Sequence, residues 1–98
     1  MIPILSTIVL VASWYGDYFH GRTAANGTTF DMYASTAAHK SLPFGTQLRV
    51  CYKSCEVVTI TDRGPFIPGR GLDLSKGTAY RIGMLDAGVA PVKVYRLN

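Results

Sequence analysis

Two aspartates stand at the ends of apolar runs, on either side of a loop rich in glycine and proline. Asp62 follows the letters VTIT, Asp73 lies within LDLS, and the loop between them carries Arg63 and Arg70. If that loop returns the chain close to Asp62, the two carboxyl groups repel each other as anions, and the pKa of one of them rises. A carboxyl group with a raised pKa keeps its proton near neutral pH and can transfer it to a ligand.

Each aspartate also has a purely structural explanation. Asp, Gly and Pro are the residues that turns favour, so Asp62 could cap the loop through its own backbone. Asp73 could be a buried carboxylate that is bonded to Arg63 or Arg70. Taken alone, the residue types favour these structural explanations, because most turn aspartates serve only the turn.

The two cysteines lie close together, in the letters CYKSC. A zinc site usually needs four ligands and only His20 and His39 could join Cys51 and Cys55, so no metal is expected. A three-residue loop between two strands would place Cys51 opposite Cys55 at a separation that suits a bridge. The alternative is a pair of free, buried thiols in a reducing compartment. We predict the disulfide, and with it an extracytoplasmic location.

Length and composition favour one small all-β domain. The 98 residues can build only one hydrophobic core, which we place at about 8–97 within a domain that covers 1–98. Ten glycines and five prolines favour many short elements joined by tight turns. The net charge is +4, but the basic residues are spread singly, whereas a nucleic-acid footprint would cluster them. We therefore predict no nucleic-acid partner; a dispersed positive surface fits a polyanionic matrix such as a bacterial wall as well.

The chain begins with a mostly apolar stretch, MIPILSTIVLVA. It has no basic region ahead of the apolar run and no spacer after it, unlike a secretory signal. It is too short for a membrane span of about 20 apolar residues, so no stable span is expected. We interpret 8–15 as the first strand, and any export signal as removed or replaced by Met1.

Six short runs, most of them rich in Val, Ile, Thr and Tyr and bounded by Gly or Pro, are predicted to be strands. A pairing of Cys51 with Cys55 would put Leu48 opposite Val58 and keep the apolar residues of both strands on one face. The disulfide and the hydrophobic register therefore agree. The predicted strands are 8–15, 34–38, 47–52, 56–61, 71–75 and 91–97.

One helix is predicted after the fifth strand. Ser75 is an N-cap candidate for the letters KGTAYRIGM, and Gly83 or Gly88 would end the helix. Six strands, one helix and a long polar stretch at 16–29 predict a small closed barrel with a groove beside its loops.

Several motifs of the chain occur together in a fixed order, and in that order they resemble the rare lipoprotein A domains. The resemblance covers residues 11–97 and implies a double-psi β-barrel fold with six strands and one or two short helices. Some members of that family are septal lytic transglycosylases, which cleave the glycan strands of bacterial peptidoglycan. The motifs are ASWYG (12–16), FHGRTAANGTTFD (19–31), TAAHKSLPFGTQLRV (36–50), TDRGPF (61–66), GRGLDLS (69–75) and GVAPVKV (88–94).

The resemblance also implies which positions line the groove. Asp31, His39 and Asp62 match polar residues of the family's active-site cleft, and Asp73 matches the aspartate of a DLS motif that aligns with the acid of expansin-type barrels. One position departs from the family: many members have Glu after the letters ANG, and this chain has Thr28. The departure removes one carboxylate from the cleft. Substrate binding is assigned to Thr28 itself, together with Asp31, Tyr15 and Arg63.

Four residues have two interpretations each. His39 could be structural, or it could orient a carboxylate or contact a sugar. Trp14 and Tyr15 point to opposite faces of a strand, so one of them can fill the core while the other offers a stacking surface for sugars. Arg63 could hold a carboxylate of a muramyl peptide or pair with Asp73.

The resemblance predicts an enzyme, a peptidoglycan lytic transglycosylase that needs no cofactor and no metal. It would cleave the bond between MurNAc and GlcNAc and leave a 1,6-anhydro-MurNAc end, because the C6 hydroxyl of the sugar itself attacks the anomeric carbon. One carboxyl group can protonate the leaving oxygen and then accept the proton of that hydroxyl. We assign this proton transfer to Asp62, with Asp73 raising its pKa; the reverse assignment stays open.

The expected partner is the peptidoglycan glycan strand, and the expected state is a monomer outside the cytoplasm. Either wall remodelling in a bacterium or lysis by a phage would use such a domain. The alternative is a wall-polysaccharide binder without catalytic activity, similar to expansins, for which Thr28 is the main argument.

Overall fold

Six strands close into a barrel in the order β1-β5-β2-β4-β3-β6. The computed structural model describes residues 7–98. Two strand pairs are parallel, β1 with β5 and β2 with β4, and the other pairs are antiparallel. The elements are β1 (Ile8–Tyr15), β2 (Thr36–Ala38), β3 (Gln47–Cys51), β4 (Cys55–Asp62), β5 (Leu72–Ser75), α1 (Lys76–Ile82) and β6 (Ala90–Arg96).

The predicted all-β barrel is confirmed, and the strand bounds differ from the prediction by two residues at most. The largest difference is in the second strand, predicted from residue 34 and observed from Thr36. Ala34 and Ser35 are not part of the strand, because the N–H of Ala34 donates to the carbonyl oxygen of Asp31 at 3.1 Å and closes a turn. The carbonyl oxygen of Ala34 accepts the hydroxyl of Ser75 at 2.6 Å, outside any strand ladder.

The barrel interior is filled by alternate residues of the strands, as the period of two predicts. Leu48, Val50, Val58 and Ile60 are all at most 1% exposed, so the predicted apolar face of β3 and β4 is confirmed. Residues of β1, β2, β5, α1 and β6, together with Met84, complete the core. The other fully buried members are Ala12, Ala37, Leu72, Leu74, Ala79, Ile82, Met84, Val92 and Val94.

The predicted disulfide is present and sits in the predicted register. Cys51 pairs with Cys55, and Leu48 with Val58, in the antiparallel ladder of β3 and β4. The loop that the disulfide closes also caps α1. The N–H groups of Lys53 and Ser54 donate to the carbonyl oxygen of Ile82 at 3.0 and 3.3 Å. These bonds satisfy a carbonyl that a helix terminus otherwise leaves without a partner.

Helix α1 begins and ends as predicted. The hydroxyl of Ser75 accepts the N–H of Thr78 at 3.2 Å, which is the usual N-cap bond. Gly83 ends the helix with a φ of 86°, a left-handed conformation that glycine adopts without steric cost. Because Ser75 is also the last residue of β5, the helix fixes the strand that carries Asp73. Within residues 7–98, no helix has the length and apolar character to cross a membrane.

Removal of the disulfide should lower the melting temperature without preventing folding. A bridge that closes so short a loop stabilises the folded state by about 2 kcal/mol on the chain-entropy model. We expect the double substitution Cys51→Ser, Cys55→Ser to lower the melting temperature by about 8–16 °C in a thermal scan. The control is Ser54→Ala, which removes one bond to the carbonyl of Arg81 and should cost less. An unchanged melting temperature in the double variant would contradict this assignment.

Candidate active site

Asp62 and Asp73 lie on the two strands that flank β2, and both pair with the same residue. Ala38 is the partner of Asp73 in the antiparallel pair with β5 and the partner of Asp62 in the parallel pair with β4. Side chains of paired residues point to one face of a sheet. The loop 63–70 therefore does return the chain to Asp62, and the two carboxyl groups stand on either side of a single alanine.

A register shift makes this arrangement possible. Ala37 pairs with Ile60, but Ala38 pairs with Asp62, so Thr61 is an extra residue in β4. Without the shift, Asp62 would share the face of Val58 and Ile60, whose side chains are buried in the core. Such a bulge redirects a side chain and is common beside functional sites. Here it turns a carboxylate from the interior to the groove.

The carboxyl group of Asp73 is partly buried and has a raised pKa. Burial, which disfavours the charged form, is the largest cause, and together with the smaller effect of the charge of Asp62 it raises the pKa of Asp73 to about 6. A hydrogen bond from the hydroxyl of Ser13, at 3.0 Å, and the charge of Arg70 act in the opposite direction. The structural alternative, in which Asp73 bonds to Arg63 or Arg70, is wrong: within residues 7–98 its side-chain donor is Ser13.

The carboxyl group of Asp62 accepts three hydrogen bonds. Oδ1 accepts the backbone N–H groups of Ala25 and Arg63, each at 2.9 Å, and Oδ2 accepts the hydroxyl of Tyr15 at 3.3 Å. The bond from Arg63 is the local turn contact that the structural explanation predicts. The bond from Ala25 comes from a distant loop. Asp62 therefore closes its own turn and also holds the loop 24–28 through Ala25.

Trp14 and Tyr15 point to opposite faces of β1, as predicted; a role of Tyr15 as a stacking surface for sugars stays a prediction. Trp14 packs against the core, and its indole N–H donates to the carbonyl oxygen of Leu85 at 3.1 Å. Tyr15 lies on the other face, where its ring stacks on Phe30 with centroids 4.5 Å apart. Burial, together with the charge of Asp62, raises the pKa of Tyr15, so its hydroxyl stays protonated and donates.

His39 is fixed as a neutral imidazole. Its Nδ1 accepts the backbone N–H groups of Ser41 and Leu42 at 3.1 and 3.0 Å, so this nitrogen carries no proton. The ring proton is therefore on Nε2, which is a hydrogen-bond donor. Burial and then the charges of Arg63 and Lys40 lower the pKa of His39. A histidine in this state orients or contacts a ligand better than it shuttles protons.

Arg63 organises the loop that carries His39. Its guanidinium donates to the carbonyl oxygens of His39 and Leu42 at 3.2 and 2.8 Å and lies over the ring of Phe44, 3.9 Å from the centroid. The pairing of Arg63 with Asp73 is wrong, because within the described chain its side chain bonds to carbonyls. A role of Arg63 in binding a peptide carboxylate stays a prediction.

The two remaining predicted residues lie in exposed turns. The carboxylate of Asp31 accepts the N–H of Tyr33 at 2.9 Å, and so closes a turn of the chain. The hydroxyl of Thr28 donates to Oδ1 of Asn26 at 2.6 Å. Thr28 belongs to the same 24–28 loop whose Ala25 binds Asp62, but its side chain turns back on its own loop. A role of Asp31 or Thr28 in substrate binding stays a prediction.

A surface depression lies away from the two aspartates. It has a volume of about 510 Å³ and is lined by residues that include Cys51, Cys55 and Lys93. Cys55 begins β4 and Asp62 ends it, which separates the depression from the aspartates by about 23 Å along the strand. Within residues 7–98, His, Cys, Asp and Glu form no cluster that could hold a metal ion.

Comparison with known proteins identifies the family of the chain. The family model described as lytic transglycolase matches residues 7–94. The chain belongs to the lytic transglycolase family. Its predicted resemblance to rare lipoprotein A domains and its predicted double-psi β-barrel are confirmed.

Curated relatives of this lytic transglycolase domain carry closely related names. The chain is 48% identical over 86 residues to the endolytic peptidoglycan transglycosylase RlpA of Vibrio cholerae, which covers 85% of this chain and 33% of that protein. It is 52% identical over 85 residues to a probable endolytic peptidoglycan transglycosylase RlpA of Synechocystis, which covers 84% of this chain and 26% of that protein. The chain thus spans a third or less of these relatives.

Two solved structures share the fold of the domain. The Streptomyces papain inhibitor superposes with a TM-score of 0.76 at 22% identity and covers 100% of both chains. The expansin of Clavibacter michiganensis superposes with a TM-score of 0.73 at 24% identity and covers 95% of this chain and 51% of that one. At these identities the likeness shows the barrel fold alone.

Sequence reasoning missed two groups that hold the carboxyls of this transglycolase domain. Ser13 has a visible signal, a small polar residue between Ala12 and Trp14, but the motif ASWYG alone assigns it no role. The backbone N–H of Ala25 has no sequence signal, because any residue except proline supplies one.

The raised pKa of Asp73 predicts a stability that falls as pH rises. The native carboxyl keeps its proton up to a pH of about 6, whereas the unfolded chain loses it near 4, so the folded state binds more protons in that interval. Above this interval the charged, buried carboxyl costs about 1–2 kcal/mol, after allowance for screening by solvent.

Asp73→Asn removes the charge and should therefore raise the melting temperature at pH 7 but barely change it at pH 4. Thermal scans of both proteins between pH 4 and pH 7 measure the difference. A stabilisation that is largest at pH 4 would show that burial of Asp73 does not raise its pKa.

Proposed function

We propose that this domain is a peptidoglycan lytic transglycosylase, which cleaves the glycosidic bond between MurNAc and GlcNAc and leaves a 1,6-anhydro-MurNAc end. The observation that carries the proposal is the pair of carboxyls beside Ala38, of which Asp73 has a pKa raised to about 6 by burial. The names of the curated relatives, endolytic peptidoglycan transglycosylases, support the same substrate and reaction.

Proton transfer is assigned to Asp73, which reverses the assignment expected from the sequence. A general acid is most effective when its pKa lies near the working pH. Asp73 meets this condition, while Asp62 serves as an acceptor for three donors and as the charge that helps raise the pKa of Asp73. The environments of the two groups differ, and that difference separates their roles.

The reaction balances with one proton and no water. Asp73 gives its proton to the glycosidic oxygen as the bond from that oxygen to C1 of MurNAc breaks. The C6 hydroxyl of the same sugar attacks C1, and its proton passes to the carboxylate of Asp73, which restores the acid. The positive charge that develops at C1 is stabilised by the anionic Asp62 on the other side of Ala38.

Two neutral donors complete the site. The hydroxyl of Tyr15 fixes Asp62, and the Nε2–H group of His39 is available to an oxygen of the sugar. His39 is rigid, because its backbone is held on both sides. The backbone N–H of His39 donates to the carbonyl oxygen of Asp62 at 3.2 Å, and its carbonyl oxygen accepts a bond from the guanidinium of Arg63. A rigid donor needs little reorganisation during the reaction.

The domain is proposed to act as a monomer outside the cytoplasm, where peptidoglycan and the disulfide are both found. Bacterial wall remodelling and phage lysis are equally compatible with this assignment.

Substitution of the two aspartates should separate their roles. Asp73→Asn removes the transferable proton and should lower the release of anhydro-muropeptides from purified peptidoglycan by about 10²- to 10⁴-fold. In the unchanged domain, release should fall as pH rises above about 6, because Asp73 loses its proton. Asp62→Asn removes a repelling charge, so the activity that remains should fall off at a lower pH.

The matched control is Asp86→Asn, an exposed aspartate beside Leu85 and away from the groove. It should keep full activity, with melting temperatures as the folding control for all variants. Full activity of Asp73→Asn would end the assignment of Asp73 as the acid. Absence of anhydro ends from the unchanged domain would end the proposed function.

A wall-polysaccharide binder without catalytic activity is the second candidate, and Thr28 is the observation that favours it. The loop 24–28 contains no acidic residue, and the hydroxyl of Thr28 is bonded to Asn26. The loop therefore presents no carboxylate beside Asp62. If this absence limits activity, Thr28→Glu should raise the release of anhydro-muropeptides several-fold. The control is Thr28→Gln, because a Gln side chain has the same length as a Glu side chain but carries no charge. An equal effect of both substitutions would show that charge at this position is irrelevant.

A further inference from the structure

A row of aromatic rings leads outward from Asp62. The hydroxyl of Tyr15 bonds to Asp62, the ring of Phe19 meets Tyr15 edge-on at a centroid distance of 5.6 Å, and Tyr18 meets Phe19 in the same way at 5.0 Å. Exposure increases along the row: Tyr15 is half-buried, Phe19 is 45% exposed and Tyr18 is 70% exposed. We call Tyr18 and Phe19 the aromatic strip.

The aromatic strip is held rigidly although it lies in a loop. The N–H of Phe19 donates to the carbonyl oxygen of Gly16 at 2.9 Å. The guanidinium of Arg22 donates to the carbonyl oxygen of Tyr18 at 2.8 Å and lies over the Tyr18 ring, 4.3 Å from its centroid. The N–H of Phe30 donates to the carbonyl oxygen of Arg22 at 2.7 Å and fastens the loop to the aromatic packing below it. A surface that is already ordered loses little entropy when a ligand binds.

Exposed aromatic rings that lie in a row offer a surface on which a ligand can pack. Tyr18 is 70% exposed, so it contributes little to the core. Sugar rings present C–H groups on their faces, which pack on aromatic rings, and hydroxyl groups at their edges, which bond to polar neighbours. The aromatic strip offers rings for packing, and the guanidinium of Arg22 beside it offers N–H donors for the hydroxyl groups.

Continuity with the carboxyl pair decides which sugar polymer fits. A glycan whose scissile bond lies at Asp62 and Asp73 must continue beyond them, and the strip is joined to Asp62 through Tyr15. We propose that the aromatic strip is a glycan-binding subsite, where Tyr18 and Phe19 stack on sugars of the peptidoglycan strand beyond the cleaved bond. This inference rests on the proposed function and names residues that extend its substrate site.

The first test measures affinity for peptide-free peptidoglycan glycan strands in a common Asp73→Asn background, so that the ligand is not cleaved. Tyr18→Ala should weaken binding about three- to tenfold, the range of one aromatic contact. Tyr18→Phe keeps the ring and should bind as the background protein does. The matched control is Tyr80→Ala, since Tyr80 is also 70% exposed but lies on α1.

The second test uses the catalytically intact chain and separates a failure of the strip from a failure of the proposed function. Tyr18→Ala should raise KM for long strands about three- to tenfold with kcat preserved, and this penalty should vanish on fragments too short to reach Tyr18. If the intact domain releases anhydro ends and Tyr18→Ala leaves KM unchanged, the strip is not a subsite and the function stands. If the intact domain neither binds glycan nor cleaves it, both proposals fail.

Discussion

The site depends on a small residue in a very short strand. β2 has only three residues, and its last residue, Ala38, is paired on one side with Asp73 and on the other with Asp62. Neighbouring strands lie about 4.8 Å apart, so the main chains that carry the two carboxyls are about 10 Å apart with only a methyl group between them. A larger side chain at this position would fill the space between the two carboxyls.

The position of Asp73 is fixed by elements far from the groove. β5 continues directly into α1, and the hydroxyl of Ser75 serves both, since it caps the helix and donates to the carbonyl oxygen of Ala34 ahead of β2. The far end of α1 is capped by the disulfide loop, and Arg81 binds Glu56 at 2.6 Å on β4. The helix therefore ties together the strands that carry the two carboxyls.

Much of this architecture was readable from the sequence, and the exceptions have physical causes. The letters CYKSC and the alternation around Leu48 were enough for the hairpin register, and Ser75 and Gly83 were enough for the helix bounds. The bulge at Thr61 was not predictable, because it depends on the pairing of β4 with a strand from a distant part of the chain. The burial and the hydrogen-bond donors of Asp62 and Asp73 were not predictable either, because both are set by the closed barrel.

The fold gives the two carboxyl groups different numbers of hydrogen-bond donors. Asp62 receives two backbone N–H groups and a tyrosine hydroxyl, whereas Asp73 has the hydroxyl of Ser13 as its side-chain donor within the described residues and is more deeply buried than one such bond offsets. A barrel that is closed on all sides can tolerate this cost, since its core and disulfide supply stability elsewhere. An additional donor to Asp73 would stabilise the charged form and lower its pKa, so it would remove the property that suits Asp73 to hold a proton. The incomplete solvation of this one carboxyl is therefore the feature that connects the stability of the barrel to its proposed chemistry.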